Sequence, residues 1–138
     1  MRSRSVKPLQ KPNTSDCLCG SGKSAESCCH AYHAGATAPT AEALMRSRYV
    51  AYALGLEPYL LATWHPSTRP ADLKLDEDPP QRWLGLSIKR HDVLDENSAL
   101  VEFVARYKIG GRAYRLHETS RFVREDGRWF YIDGEIQE

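Results

Sequence analysis

The residues with the clearest chemistry in this chain are its cysteines, and all of them lie close together near the N-terminus. They are Cys17, Cys19, Cys28 and Cys29. The first two are separated by one residue and the last two are adjacent, while Gly20 and Gly22 allow a tight turn between the pairs. Four thiolates suit a tetrahedral Zn²⁺ ion and leave no position open for a substrate. A disulfide framework would spread its cysteines across the fold. We therefore predict a closed zinc site.

One alternative for the fourth ligand stays open on the sequence alone. His30 follows Cys29 directly, and an imidazole nitrogen is as ordinary a zinc ligand as a thiolate. Ser24 can cap a short helix that presents Cys28 and Cys29 together. The adjacent-cysteine arrangement favours Cys29, with His30 as the substitute ligand.

The segment before the cysteines is predicted to be a flexible basic tail covering residues 1–16. The first 39 residues hold five Lys or Arg against two acids, whereas the remaining residues hold 14 against 16. A basic tail beside a zinc module is compatible with contact to the phosphates of a nucleic acid, but the favoured interpretation is a solvated segment that binds nothing in particular.

The distribution of apolar residues bears on membrane crossing and location. No apolar run approaches the ~20 residues that a bilayer-spanning helix needs, and residues 1–16 lack the apolar core of a secretory signal. We therefore expect no membrane span and a cytoplasmic location, where thiols stay reduced and available to a metal.

Helical patterns follow the zinc module, which we place at residues 17–35. After a linker at 35–39, Thr40 can cap a helix that runs to about Leu54 and ends at Gly55. A second short helix is expected from Tyr59 to Trp64, and a loop over 66–82. The module is predicted to fold independently of residues 40–138.

From Trp83 the hydrophobic period changes to two, which predicts four strands over 83–94, 99–109, 112–125 and 128–136. The connections are 95–98, Gly110-Gly111 and Asp126-Gly127, and the last two have the composition of two-residue hairpin turns. The predicted fold class is α+β, with N-terminal helices packed on a curved antiparallel sheet.

Direct pairing across each hairpin predicts which side chains share the core face of the sheet. Its apolar members would be Leu84, Leu86, Ile88, Val101, Phe103, Ala105, Tyr107, Ile109, Tyr114, Leu116, Phe122, Trp129 and Tyr131. Three polar residues interrupt this face: Glu118, Ser120 and Asp133. His117, adjacent to Glu118, would lie on the opposite face.

A carboxylate on a core face is costly unless it is paired or lines a cavity. Arg48, on the first helix, is the expected partner of Glu118. If they form a buried pair, removing either one should cost about 3–5 kcal/mol; if Glu118 faces a pocket, Glu118→Gln should be nearly neutral for stability. The candidate pocket residues are Arg48, Trp64, His65, Glu118, Ser120 and Asp133.

The cysteine segment resembles the SEC-C motif, the zinc-binding tail of the bacterial translocase motor SecA. The shared features are the C-x-C-x8-C spacing, a following Cys or His, and the central Gly-Ser-Gly. In SecA the similar module contacts an export chaperone and ribosomes, so the resemblance implies a protein or ribosomal partner.

Further segments resemble the bacterial YchJ family, in the order found there. They are Glu42–Tyr49, Ala62–Pro66, Val101–Arg106, His117–Val123 and Trp129–Gly134. The resemblance implies a domain similar to nuclear transport factor two, in which a curved sheet wraps around helices to form a cone with a pocket. The resemblance implies no particular biochemical activity.

Two hypotheses of different classes follow. The favoured one is a zinc-containing interaction or adaptor protein that docks to the ribosome or to export or chaperone machinery. The alternative is a small-molecule-binding protein or a dehydratase or isomerase that uses the pocket, with Glu118 or Asp133 as base and His65 nearby. No catalytic residue is assigned.

Overall fold

The computed structural model describes residues 16–73, 75 and 81–137. The predicted basic tail therefore lies outside the described residues except for Asp16. The helical elements are a 3₁₀ turn at Ala25–Ser27, α1 at Cys29–His33, α2 at Ala41–Leu54 and α3 at Glu57–Ala62. The strands are β1 at Gln81–Asp95, β2 at Ser98–Ile109, β3 at Arg112–Glu125 and β4 at Arg128–Ile136.

Helix α2 begins and ends at the predicted residues. The Ala43 amide donates to the Thr40 side chain at 3.0 Å, which satisfies one of the free donors of the first turn. Gly55, with φ at 74°, takes the left-handed conformation that closes the C-terminus. Helix α3 begins two residues before the predicted start, because Pro58 is accepted in a first helical turn, where its missing amide has no partner to lose.

The four strands form one antiparallel sheet in chain order, β1-β2-β3-β4. Gly110 and Gly111 connect β2 to β3 with φ values of 59° and 83°, and Asp126 and Gly127 connect β3 to β4 with 53° and 78°. Positive φ at both turn positions matches the twist of the flanking strands. The connection between β1 and β2 is also a two-residue turn, because Asp95 pairs with Ser98. The predicted fold class is confirmed.

The β2–β3 register is the one that direct pairing predicts. Phe103 lies opposite Glu118, and Val101 lies opposite Ser120. His117 lies opposite Val104 and contacts Glu102 at 2.7 Å, on the other face from Glu118.

Two register shifts change the predicted core face. In β4 the pairing passes from Phe122–Tyr131 to Arg121–Asp133, so one extra residue turns Asp133 away from the core face. In β1 a shift after Trp83 places Trp83 opposite Tyr107 and leaves Leu84 exposed. The predictions for Asp133 and Leu84 were therefore wrong, because an inserted residue reverses the alternation of every side chain beyond it.

Helix α2 covers the core face of the sheet. The buried core contains Leu44, Met45, Tyr49, Val50, Val101, Phe103, Ala105, Phe122 and Trp129. The four cysteines belong to the same continuous cluster. The module thus shares its buried core with the sheet domain, and its independent folding stays a prediction. No helix in the described part of the chain is long and apolar enough to cross a membrane.

Candidate metal centre and sheet cavity

The backbone around the cysteines forms a compact loop. The Cys17 amide donates to the Lys23 carbonyl at 2.9 Å, and the Gly20 amide donates to the Cys17 carbonyl at 3.3 Å. Gly20 and Gly22 have φ values of 80° and 87°, which side-chain-bearing residues rarely adopt. Ser24 caps the 3₁₀ turn and thereby positions the start of α1 at Cys29.

The loop brings all four sulfur atoms together. Their Sγ atoms lie within 4.8 Å of one another, and the four side chains are buried. Cys28 Sγ lies 3.6 Å from Cys19 Sγ and 3.9 Å from Cys29 Sγ. A tetrahedral zinc site with Zn–S bonds of about 2.3 Å has sulfurs about 3.8 Å apart. The cluster is therefore compatible with a bound metal ion of this size.

The thiols cannot all ionise by themselves at such separations. A hydrogen bond with the Cys29 thiol lowers the pKa of Cys19 to about 4, and the same interaction raises the pKa of Cys29. Burial raises the pKa of the Cys17 thiol. One thiolate thus opposes the formation of the next. A central cation removes that opposition, because a thiol that coordinates a metal is deprotonated.

The two candidates for the fourth ligand differ in burial. Cys29 is 1% exposed and its Sγ belongs to the cluster. The His30 side chain is exposed and is not part of the group of four. The geometry therefore favours Cys29.

Two polar contacts join the cysteine module to helix α2. Arg46 Nη1 donates to the Cys19 carbonyl at 2.7 Å, and its Nε donates to Glu42 at 3.0 Å. His33 Nε2 donates to the Ser47 carbonyl at 2.8 Å. No role was predicted for Arg46, although the i,i+4 spacing of Glu42 and Arg46 indicates a paired, oriented guanidinium.

A groove runs between the module and helices α2 and α3. It has a volume of about 680 Å³, and its apolar lining includes Leu18, Val50, Leu54, Leu56 and Pro58. Leu18, between the first two cysteines, and Leu54, at the end of α2, are each 56% exposed. The groove therefore presents apolar surface to the solvent on both sides.

A second cavity, of about 230 Å³, lies between α2 and the core face of the sheet; we call it the sheet cavity. Its lining residues are Met45, Arg48, Tyr49, Tyr52, Trp83, Phe103, Ala105, Leu116, Glu118, Ser120 and Tyr131. Three of the six candidate pocket residues, namely Arg48, Glu118 and Ser120, therefore line one cavity.

Arg48 and Glu118 do not form an ion pair with each other. Arg48 Nη1 donates to the Leu60 carbonyl at 2.8 Å and to Thr63 Oγ1 at 2.7 Å. Glu118 Oε2 accepts a hydrogen bond from Ser120 Oγ at 2.7 Å. Of the two predicted arrangements, a buried ion pair or an open pocket, this geometry favours the pocket.

The other three candidate residues lie elsewhere. The Trp64 ring packs against Arg48, and the Arg48 guanidinium carbon lies 5.1 Å from the centroid of that ring. His65 Nε2 contacts Glu125 at 2.8 Å, because the backbone after α3 pairs with β4 and carries His65 past the cavity. Asp133 accepts two hydrogen bonds from Arg121, at 2.6 and 2.7 Å, on the outer face.

The fold and the cluster together define a class of protein: a cysteine module packed against a helix-covered antiparallel sheet of the nuclear transport factor two type. A family model described as the YchJ middle NTF2-like domain matches residues 40–134. The chain is 61% identical over 123 residues to a UPF0225 protein of Chromobacterium violaceum, covering 86% of this chain and 90% of that protein. The chain belongs to the YchJ family, as its sequence resemblance predicted.

Other relatives are similar to this chain over most of its length. A UPF0225 protein of Ralstonia nicotianae is 56% identical over 134 residues, covering 89% of this chain and 92% of that protein. Two solved structures of SEC-C motif containing proteins are similar. That from Rhodopseudomonas palustris has 34% identity and a TM-score of 0.78, covering 88% of this chain and 98% of its own. That from Psychrobacter arcticus has 28% identity and a TM-score of 0.74, covering 91% and 84%.

Proposed function

We propose that this chain is a zinc-containing interaction protein that docks a protein partner through its cysteine module. The observation that carries the proposal is the apolar groove beside the module, between the exposed side chains of Leu18 and Leu54. Exposed apolar surface of this kind is typical of sites where a partner binds.

Zinc is the metal we assign to the cluster, with Cys17, Cys19, Cys28 and Cys29 as ligands. Four thiolates leave no open coordination position, so the metal would hold the loop in its folded shape. The proposal places the protein in the cytoplasm, where the thiols remain reduced.

The partner we propose is a ribosomal protein or a component of the export or chaperone machinery, in line with the SEC-C resemblance. An apolar partner segment would fill the groove and cover Leu18 and Leu54. Contact of the basic tail with nucleic acid remains a prediction of the sequence, since residues 1–15 lie outside the described part of the chain.

The test compares the full chain with two aspartate variants in pulldowns from lysate and in co-sedimentation with ribosomes. Leu18→Asp should abolish recovery of ribosomes or export factors, because a charge would be buried in the groove. Leu94→Asp is the matched control: Leu94 is 59% exposed and does not line the groove. If both variants recover the same partners as the unmodified chain, the docking proposal fails.

The alternative function is small-molecule binding or catalysis in the sheet cavity, and the position of Glu118 and Arg48 on its wall supports it. A dehydratase or isomerase would use Glu118 as its base. Among the described lining residues no histidine stands beside it to share the proton transfer. We therefore favour ligand binding over catalysis as the function of this cavity.

A further inference from the structure

The sheet cavity contains a buried positive charge, that of Arg48, which is not directly bonded to a carboxylate of the described residues. Arg48 is 3% exposed, and among residues 16–73, 75 and 81–137 no carboxylate oxygen forms an ion pair with it within 4.0 Å. Its guanidinium carbon lies 4.6 Å from the Tyr131 ring centroid and 5.1 Å from that of Trp64. Aromatic faces stabilise a cation only in part. The site therefore favours a ligand that supplies an anion.

Some hydrogen-bond donors of Arg48 remain available. A guanidinium has five N–H donors, and both recorded bonds of Arg48 leave from Nη1. No hydrogen bond from Nε or Nη2 to another described residue is found within 3.5 Å. Because Arg48 lines the cavity together with Tyr52, whose hydroxyl also interacts with the guanidinium, these two nitrogens can donate to a carboxylate placed there.

Glu118 supplies the opposite charge at another part of the cavity wall. Its Oε2 is held by Ser120 Oγ at 2.7 Å, and no partner among the described residues is recorded for Oε1. Gly134 lies against the Glu118 side chain so closely that a Cβ there would overlap the carboxyl group. The Glu118 carboxylate is thus held in place while one oxygen stays free to accept a hydrogen bond.

The wall around these two charges is apolar and largely aromatic. Trp83, Tyr49, Tyr52, Phe103 and Leu116 contribute most of it. The volume of about 230 Å³ lies below the ~300–1,000 Å³ of drug-sized sites. At roughly 30 Å³ for a water-sized group, the cavity takes a ligand on the order of 10 heavy atoms.

We propose that the sheet cavity binds a small amino carboxylic acid, with its carboxylate on Arg48 and its ammonium group on Glu118. A zwitterion neutralises both wall charges at once, and an apolar body between them covers the aromatic residues. A phosphate dianion fits less well, because Arg48 supplies one positive charge and Glu118 would repel the second negative charge. The proposal is independent of partner docking at the groove.

Three probes of one shape test the two charged ends. They are 4-(aminomethyl)benzoate, 4-methylbenzoate, which lacks the ammonium group, and 4-(aminomethyl)benzamide, which lacks the carboxylate. L-Phenylalanine tests the shorter charge spacing of an α-amino acid. Binding to the full chain is followed by ¹H–¹⁵N NMR titration, with the amides of Phe103, Ala105 and Ser120 as reporters of the cavity.

We expect saturable shifts at the cavity amides with at least one of the two zwitterions, and binding at least tenfold weaker for both single-charge analogues. Which zwitterion binds distinguishes an α-amino acid from one with separated charges. Absence of saturable shifts with either zwitterion would overturn the proposal, and so would equal affinity for the zwitterion and its single-charge analogues.

A carboxylate variant provides an independent test without touching Arg48, which also holds the end of α3. Glu118→Gln should weaken the zwitterion at least tenfold and leave 4-methylbenzoate unchanged. Glu102→Gln is the matched control, because Glu102 pairs with His117 on the opposite face of the sheet. Unchanged zwitterion affinity in a folded Glu118→Gln variant would contradict the assignment of the ammonium site.

Discussion

The cysteine cluster and the sheet cavity both contain buried polar side chains, but they satisfy them in opposite ways. In the cluster, four sulfurs face one another within 4.8 Å, so that a single ion can serve them all. In the cavity, Arg48 and Glu118 face the same space without an ion pair between them.

The difference separates a cluster in which the proposed metal would complete the fold from a cavity whose walls are held in place without a ligand. The cluster contributes to the continuous core, so a metal bound there would be coupled to folding. Arg48 is already anchored to Leu60 and Thr63 at the end of α3. A ligand in the cavity would therefore add to a structure that exists before it binds.

Metal removal should produce the largest effect. Because the cysteines share their core with the sheet, treating the full chain with a chelator should lower the Tm by more than ~10 °C in a single transition. Calorimetry with and without zinc measures this. A separate low-temperature transition with an unchanged main transition would instead show that the module folds independently.

Replacing single candidate ligands should identify the fourth ligand of the cluster. Cys29→Ser should reduce bound zinc from about one per chain to a small fraction, because an alcohol is a poor zinc ligand. His30→Ala should retain the metal, since His30 is exposed beside the cluster. Elemental analysis of the two purified variants decides between them, and the reverse result would make His30 the fourth ligand.

Arg48→Met, in the wall of the sheet cavity, should lower the free energy of unfolding by an intermediate amount, about 1–3 kcal/mol. The change removes two hydrogen bonds and two cation–π contacts, and the relief from burying a charge offsets part of the loss. Denaturant melts measure it, with Arg106→Met at an exposed position of β2 as control. A gain in stability would mean that the buried charge is a net cost, kept for its ligand.

Asp133→Asn should have the smallest effect, below about 1 kcal/mol at neutral pH, because the pair with Arg121 is exposed. Hydrogen bonds from Arg121 hold the pKa of Asp133 below its usual value. The stabilisation is therefore present above the unfolded pKa of about 3.9 and is lost as the pH falls through the folded value. Melts of both proteins from pH 7 to 2 should converge. A large effect at pH 7 would indicate that Asp133 lies on the core face of the sheet.

Local patterns determined much of this protein from the sequence alone. The cysteine spacing determined which thiols could meet, because two glycine-assisted turns suffice to bring them together. Thr40 and Gly55 determined the ends of α2 by capping the helix. Gly110-Gly111 determined the β2–β3 register, because a two-residue turn fixes which residues of the two strands pair. These features depend on neighbours a few residues apart.

Only the tertiary structure decided where these pieces face. The bulges in β1 and β4 arise where strands must twist and pack, and each reverses the alternation beyond it, which moved Asp133 outward and Trp83 inward. The pairing of the chain after α3 with β4 drew His65 to Glu125. Arg46 joined the cysteine loop to α2 for the same reason: contacts between distant segments depend on the packing of the whole core, which no local pattern records.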